Sequence, residues 1–342
     1  AQALRHAGAQ SAARANALTN VGVARGLRHY PAGADEVEAS IDISRRAGHE
    51  LELSRAIENL VSVAGAFHDY RRVEELVARA ELDDRPALVN SLHQKMFLTD
   101  IDRGRLELTN ERSRRMLERA SVHDLDRALL LGLIAEASVK LGLPDAEMWV
   151  NEAWEACNAT GLWQYQLRAV DALLLHRWYS GSGLDELDDA IELLDPCATA
   201  RLPWQVAHLA LHLWFLGALV EIPDWVAEPV RWMTVGRWRE SAEWFGERGV
   251  PFSEGLALSL GDVEARKQAV RVFSKIGARP HATLVRNGLR AEGVTGVPPI
   301  ARRPRNEHGL TARQQDVFEL LALGFTNAEI GERLFVSPRT VE

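Results

Sequence analysis

Two cysteines, Cys157 and Cys197, are all that 342 residues contain, and they stand outside any C-x-x-C pair. That scarcity argues against a disulfide-stapled secreted module and against a cysteine-based metal framework. Two buried or half-buried thiols in a reducing cytosol are the expectation. Long apolar runs are lacking as well, since no window reaches the ~18 uninterrupted apolar residues that a bilayer span needs. The opening stretch AQALRHAGAQSAARANALTN has no initiator Met and no apolar h-region. It does not read as a signal peptide, and a start on Ala within a helical pattern reads as part of something longer. A cytoplasmic location, with no membrane partner, is expected. Net positive charge is also missing: 40 Lys+Arg against 48 Asp+Glu leave -8, which on charge alone excludes a histone-like nucleic-acid coat. Lysine is rare (Lys95, Lys140, Lys267 and Lys275 only), a skew of codon usage that carries little chemistry. No Gly-x4-Gly-Lys-(Ser/Thr) phosphate loop occurs, and no nucleophile–base pair is visible by spacing.

What the chain does have is helical periodicity. Over residues 1–292 apolar positions recur every 3.6 residues almost everywhere and alternate like a strand almost nowhere. Leu51, Leu53, Ala56, Ile57, Leu60, Val61 and Ala64 form one wide stripe. Breaks are short: His29-Tyr-Pro31, Asp83-Asp-Arg-Pro86, Gly142-Leu-Pro144, Gly181-Ser-Gly183, Leu202-Pro203 and Gly249-Val-Pro251. Each joins a helix stop to a residue able to start the next helix. The breaks set helix pairs near residues 15–48, 50–84, 85–120, 122–160 and 162–199. A period of roughly 35–40 residues is that of stacked helical hairpins, so an all-α fold built as an α-solenoid is predicted. Leu60, Ala64, Asp69-Tyr70, Val73, Val77 and Ala80 resemble a tetratricopeptide repeat, and Ala190-Ile-Glu-Leu-Leu-Asp-Pro196 resembles the end of another.

Several constellations invite a chemical reading and are better explained by packing. All ten tryptophans lie between Trp149 and Trp244. A ligand groove is the sharper interpretation, and large side chains filling gaps between irregular helices is the favoured one. His208 and His212 have the i,i+4 spacing of zinc ligands, but Leu209 follows where a metalloprotease helix needs its Glu. They are expected to be core or interface histidines. The Asp185, Glu186, Asp188, Asp189 run reads as a solvated helix face. No metal and no cofactor is expected.

Periodicity stops at residues 293–308, where prolines and glycines give way to Arg302, Arg303 and Arg305, the composition of a linker. Beyond it, residues 309–342 carry three helix starts. Thr311 with Gln314 forms a capping box for a helix ending at Gly324. Thr326 with Glu329 forms a second box for a short helix through Leu334. Ser337 is an N-cap with Pro338 in the first helical position. Val317, Leu320, Leu321, Ile330, Leu334, Val336 and Val341 would close a small core. The connection Phe335-Val336 is short enough to require a tight helix–turn–helix, whose last helix presents its N-terminus outward to the DNA major groove.

The phrases Leu310-Thr-Ala-Arg-Gln-Gln-Asp-Val317, Gly324-Phe-Thr-Asn-Ala-Glu-Ile330 and Ser337-Pro-Arg-Thr-Val341 resemble the LuxR/GerE-type DNA-binding domain of bacterial transcription regulators. The resemblance covers residues 309–342 nearly without gaps. The stretch 238–299, with Trp238, Trp244-Phe-Gly, Gly249-Val-Pro-Phe252, Gly277-Ala-Arg-Pro280 and Val297-Pro-Pro299, is similar to the region before this domain in large multidomain members. In those members a P-loop ATPase, sometimes with a cyclase, precedes a long helical-repeat region, so any enzymatic activity is expected upstream of Ala1 and none in this chain. The resemblance implies that Thr326 and Asn327 lie near the DNA backbone. It also implies that Ser337, Arg339, Thr340 and Val341 open the recognition helix. Glu342 stands where many members place a base-reading lysine; a carboxylate there can accept from a cytosine amino group but repels phosphate. The remainder of that helix and the dimerising fourth helix are expected beyond Glu342, so the chain as it stands is expected to bind DNA weakly and the intact protein to dimerise. The expected organisation is a helical repeat domain at 1–292 that senses a protein or small-molecule effector, a linker at 293–308, and an incomplete DNA reader at 309–342. The alternatives are a repeat scaffold that only binds proteins and the non-catalytic C-terminal part of a multidomain ATPase or cyclase.

Overall fold

The apolar stripes and Gly/Pro breaks become a run of antiparallel helices in the computed structural model, which describes residues 2–82, 86–118, 123–181, 187–300, 317–318, 320–321 and 325–333. These fall into two compact units, Ala1–Pro299 and Ile300–Glu342. No strand occurs among the described residues.

The first unit opens with four hairpins: α1 (Gln2–Leu27) with α2 (Ala32–Ala47), α3 (Glu50–Ala66) with α4 (Tyr70–Leu82), α5 (Pro86–Asp102) with α6 (Leu106–Leu117), and α7 (Asp124–Leu141) with α8 (Ala146–Ala159). They are followed by α9 (Trp163–Ser180), α10 (Leu187–Glu192), α11 (Leu194–Ala200), α12 (Ala207–Phe215), α13 (Glu228–Thr234), α14 (Trp238–Glu247), α15 (Pro251–Ser259), α16 (Val263–Lys275) and α17 (Arg279–Ala291). Left-handed Gly48, Gly142 and Gly181 end α2, α7 and α9, the positive φ at which glycine is favoured as a helix stop. Asp262 caps α16 by accepting from the Ala265 N–H at 3.0 Å, and Pro229, Pro251 and Pro280 occupy first-turn positions.

Each helix from α1 to α9 packs on the next, and the odd-numbered ones also pack on one another in succession, α9 then continuing to α12. That is the two-layer arrangement of an α-solenoid. A continuous seam including Val37, Leu60, Val73 and Leu92 runs from α2 to α5. Further along, α7 is enclosed on all sides, every residue from Leu130 to Leu141 being buried. Its enclosure has a cause: α5, α6, α8 and α9 surround it, and α17 returns to pack against it. The later helices therefore close back on the earlier ones, with the Lys140 ammonium 4.3 Å from the Phe252 ring centre and Tyr179 hydrogen-bonded to His281.

One expectation needs correction. The segment after α9 is not a single second helix reaching residue 199 but two short ones, α10 and α11. Pro196 has no N–H to offer the Glu192 carbonyl, so the hydrogen-bond ladder lapses where α10 ends. Arg201 then adopts φ 51° and closes α11 just before Leu202-Pro203.

Candidate functional site

In the second unit the Thr326–Glu329 box folds as a reciprocal cap. The Thr326 N–H donates to Glu329 Oε2 at 2.8 Å and its hydroxyl donates to the same oxygen at 2.7 Å. The Glu329 N–H lies 3.4 Å from Thr326 Oγ1. This cap opens α18 (Asn327–Arg333). Ile330 is fully buried, with Val317 and Leu320 half-buried, and the Phe325 N–H closes a turn onto the Leu320 carbonyl at 3.1 Å. Of the residues implied to touch DNA, Thr326 is exposed beside the cap and Asn327 is the first, half-buried residue of α18. Ser337, Arg339, Thr340, Val341 and Glu342 lie outside the described residues, as do the Thr311–Gln314 box and Pro338.

The first unit encloses a set of polar groups that composition did not reveal. Glu136 and Lys140, one turn apart on α7, pair at 2.6 Å, and Arg168 from α9 also pairs with Glu136. Burial pushes the Glu136 pKa up, but Lys140 and Arg168 outweigh it and hold the carboxylate below its usual range. Beside this group, His212 Nδ1 lies 2.6 Å from Asp171 Oδ1. Burial opposes the Asp171 charge, yet the His212 hydrogen bond and the nearby His208 and Lys140 bring its pKa to about 2. His208 instead faces Ser253 Oγ at 3.2 Å, and burial, partly opposed by Asp171, lowers its pKa to about 4. The two histidines singled out by spacing thus have different partners. Among the described residues no group of three or more His, Cys, Asp or Glu is placed to hold a metal ion.

Part of the tryptophan-rich segment gathers into one cluster. Trp204 and Trp244 stack with ring centres 5.0 Å apart, Arg248 lies over Trp244 at 4.1 Å, and His68 meets both indoles edge-on. Trp204 also forms a wall of a cavity of about 310 Å³ between α3, α5, the start of α12 and α14. A neighbouring cavity of about 160 Å³ shares Asp102, Arg168, Gln205 and His208 with it. Sequence reasoning missed Lys95 and Asp102 here. Their signal was two charges seven residues apart in an otherwise apolar stripe of α5, which places them on one helix face.

Both cysteines are buried free thiols, with pKa values raised by burial to about 11, so neither is a nucleophile at neutral pH. No helix among the described residues is long and apolar enough to cross a membrane.

No curated protein and no solved structure matches the chain. Residues 308–342 match the family described as bacterial regulatory proteins, luxR family. The chain therefore carries, on an all-helical body, the DNA-binding helix–turn–helix of the luxR family of bacterial regulatory proteins.

Proposed function

We propose that this chain is the sensing and DNA-reading part of a cytoplasmic transcription regulator rather than an enzyme. The reading is carried by the family match over residues 308–342, and the reciprocal Thr326–Glu329 cap is in keeping with it. In this reading Thr326 and Asn327 approach the phosphate backbone, while Ser337, Arg339, Thr340, Val341 and Glu342 open the helix that meets base edges. The solenoid of residues 1–292 receives a protein or small-molecule effector, and residues 293–308 tether it to the reader. Support for a sensing role comes from the half-open, partly polar cavity between helices of the array. The intact protein binds DNA as a dimer, reading two half-sites.

Fluorescence anisotropy of the intact protein on duplex DNA tests this across 50–200 mM salt. Affinity should fall about tenfold over that range for every two phosphates engaged, because each contact releases condensed counterions. Absence of binding at low salt, with and without cell extract as a source of effector, would overturn the reading.

A further inference from the structure

Most buried charges of the first unit are compensated. Glu136 has Lys140 and Arg168, Asp171 has His212, and Asp100 has Arg105 and Arg112. Two groups on the inner face of α5 break this rule. Lys95 donates from Nζ to the Ser62 hydroxyl at 2.7 Å and forms no ion pair among the described residues. Asp102 receives only a long hydrogen bond, 3.4 Å, from the Tyr70 hydroxyl. Both line the larger cavity. Withdrawal from water lowers the Lys95 pKa, only partly offset by Glu58. It raises that of Asp102 to about 6, although the residue as a whole is only half-buried. Glu58 offsets the cost at Lys95, and Arg168 and Lys140 that at Asp102, only in part, so each charge still costs free energy.

The two cannot neutralise each other. Seven residues of α-helix separate their backbones by about 10 Å along the axis. A third uncompensated group stands opposite them: Gln205 Oε1 is buried without a hydrogen-bond donor, and Gln205 lines both cavities. Leu98 on α5, with Trp204 and Phe245, gives the cavity an apolar part beside the polar Ser62, His68 and Thr99. Arg168 lines both cavities as well, but its guanidinium is paired with Glu136, which leaves a cationic donor at Lys95 and two acceptors at Asp102 and Gln205 for a complementary molecule.

We propose that this cavity is the effector site and that it takes a small zwitterion of amino-acid class, with its carboxylate toward Lys95 and its ammonium toward Asp102 and Gln205 Oε1. This rests on the reading that the helical array senses an effector, and it names the chemistry of that effector. A ligand with one charge would leave either Lys95 or Asp102 buried and unpaired. A zwitterion meets both without adding net charge to the cavity.

The test is thermal unfolding of the full chain with each of the twenty L-amino acids and with 4-aminobutyrate. Butyrate and butylamine serve as single-charge controls. At ten times its Kd a bound zwitterion should raise the melting temperature by about 2–4 °C, with no shift from either control at the same concentration. Lys95→Met should abolish the shift while leaving the unliganded melting temperature unchanged or higher, since it removes an uncompensated ammonium. A merely structural lysine would lower it. Gln205→Leu, which introduces no charge, should weaken binding at least about tenfold, the loss expected when a buried ligand donor loses its acceptor.

The proposal is overturned if none of these zwitterions shifts the transition, if butyrate or butylamine shifts it equally, or if the shift survives Lys95→Met. DNA binding measured on the same samples keeps the two claims apart. DNA binding without any zwitterion response removes only the ligand assignment, and a zwitterion response without DNA binding removes only the regulatory reading.

Discussion

Glu136 sits between Lys140 and Arg168 with almost no exposure to water, so one carboxylate holds the buried Lys140 ammonium and the half-buried Arg168 guanidinium. Replacing it by Ala leaves both uncompensated, and Glu136→Ala should cost about 3–5 kcal/mol, read as a lower urea midpoint. The i,i+4 spacing of Glu136 and Lys140 was visible in the sequence. The arrival of Arg168 from α9 was not, because nothing local specifies which helix covers α7. Gly142 shows the same division. Its role as a helix stop is legible, and the structure gives it φ 65°. Hidden from the sequence was Pro280, whose Cγ would lie 2.8 Å from an added Cβ. Gly142→Ala should therefore cost more than the about 1–2 kcal/mol of left-handed backbone alone, again in urea unfolding. Glu342 belongs to the same scale. If it faces DNA, Glu342→Lys should tighten binding and steepen the salt slope by about one unit.

Helix starts and stops were the most legible elements, because caps and breakers act within one turn. The Thr326–Glu329 box forms as its spacing required. Thr326→Ala should cost α18 about 1 kcal/mol, measurable as faster hydrogen exchange at the Ile330 amide, whose N–H donates to the Thr326 carbonyl at 2.9 Å. The breaks predicted near 29–31, 83–86 and 142–144 fall between α1 and α2, α4 and α5, and α7 and α8, while the turns after α3 and α5 were not among those predicted. Beyond α9 legibility drops, since Pro196 in the first turn of α11 interrupts the ladder from α10 and helices shorter than three turns give little periodicity to read. The cavity falls in the same gap. Lys95 and Asp102 were visible as charges in an apolar stripe, but Gln205 reaches the site from a loop that periodicity does not describe.

For the molecule as a whole, charge divides unevenly: residues 301–342 hold six basic and six acidic side chains, so the entire net charge of -8 belongs to residues 1–300. Overall acidity thus says nothing about the DNA reader. The interior of the array also sets a pH dependence. Burial lowers the pKa of His68 to about 3 and that of His208 to about 4, and holds His281 well below its ordinary value. Below pH 6.5 the unfolded chain takes up protons that these imidazoles refuse, so stability is full above that pH and declines toward pH 4. Asp102, with its raised pKa of about 6, works in the opposite sense between about pH 4 and 6 but offsets only one proton. The net slope near pH 5 is on the order of 2–3 kcal/mol per pH unit. Urea midpoints should fall from pH 7 to pH 5, and His281→Gln should flatten that fall. The closure of α17 onto α7 is the feature of the first unit least accessible from sequence, because the two helices lie far apart in the chain.

The central claim, that residues 308–342 give this regulator its hold on DNA, is tested most directly by measuring duplex affinity at 50 mM salt for the intact protein and for two variants. One variant lacks residues 308–342 and the other carries Arg339→Ala. The account predicts that the deletion abolishes binding and that Arg339→Ala weakens it about tenfold or more, the worth of a good base or phosphate contact. Affinity unchanged by the deletion would contradict it.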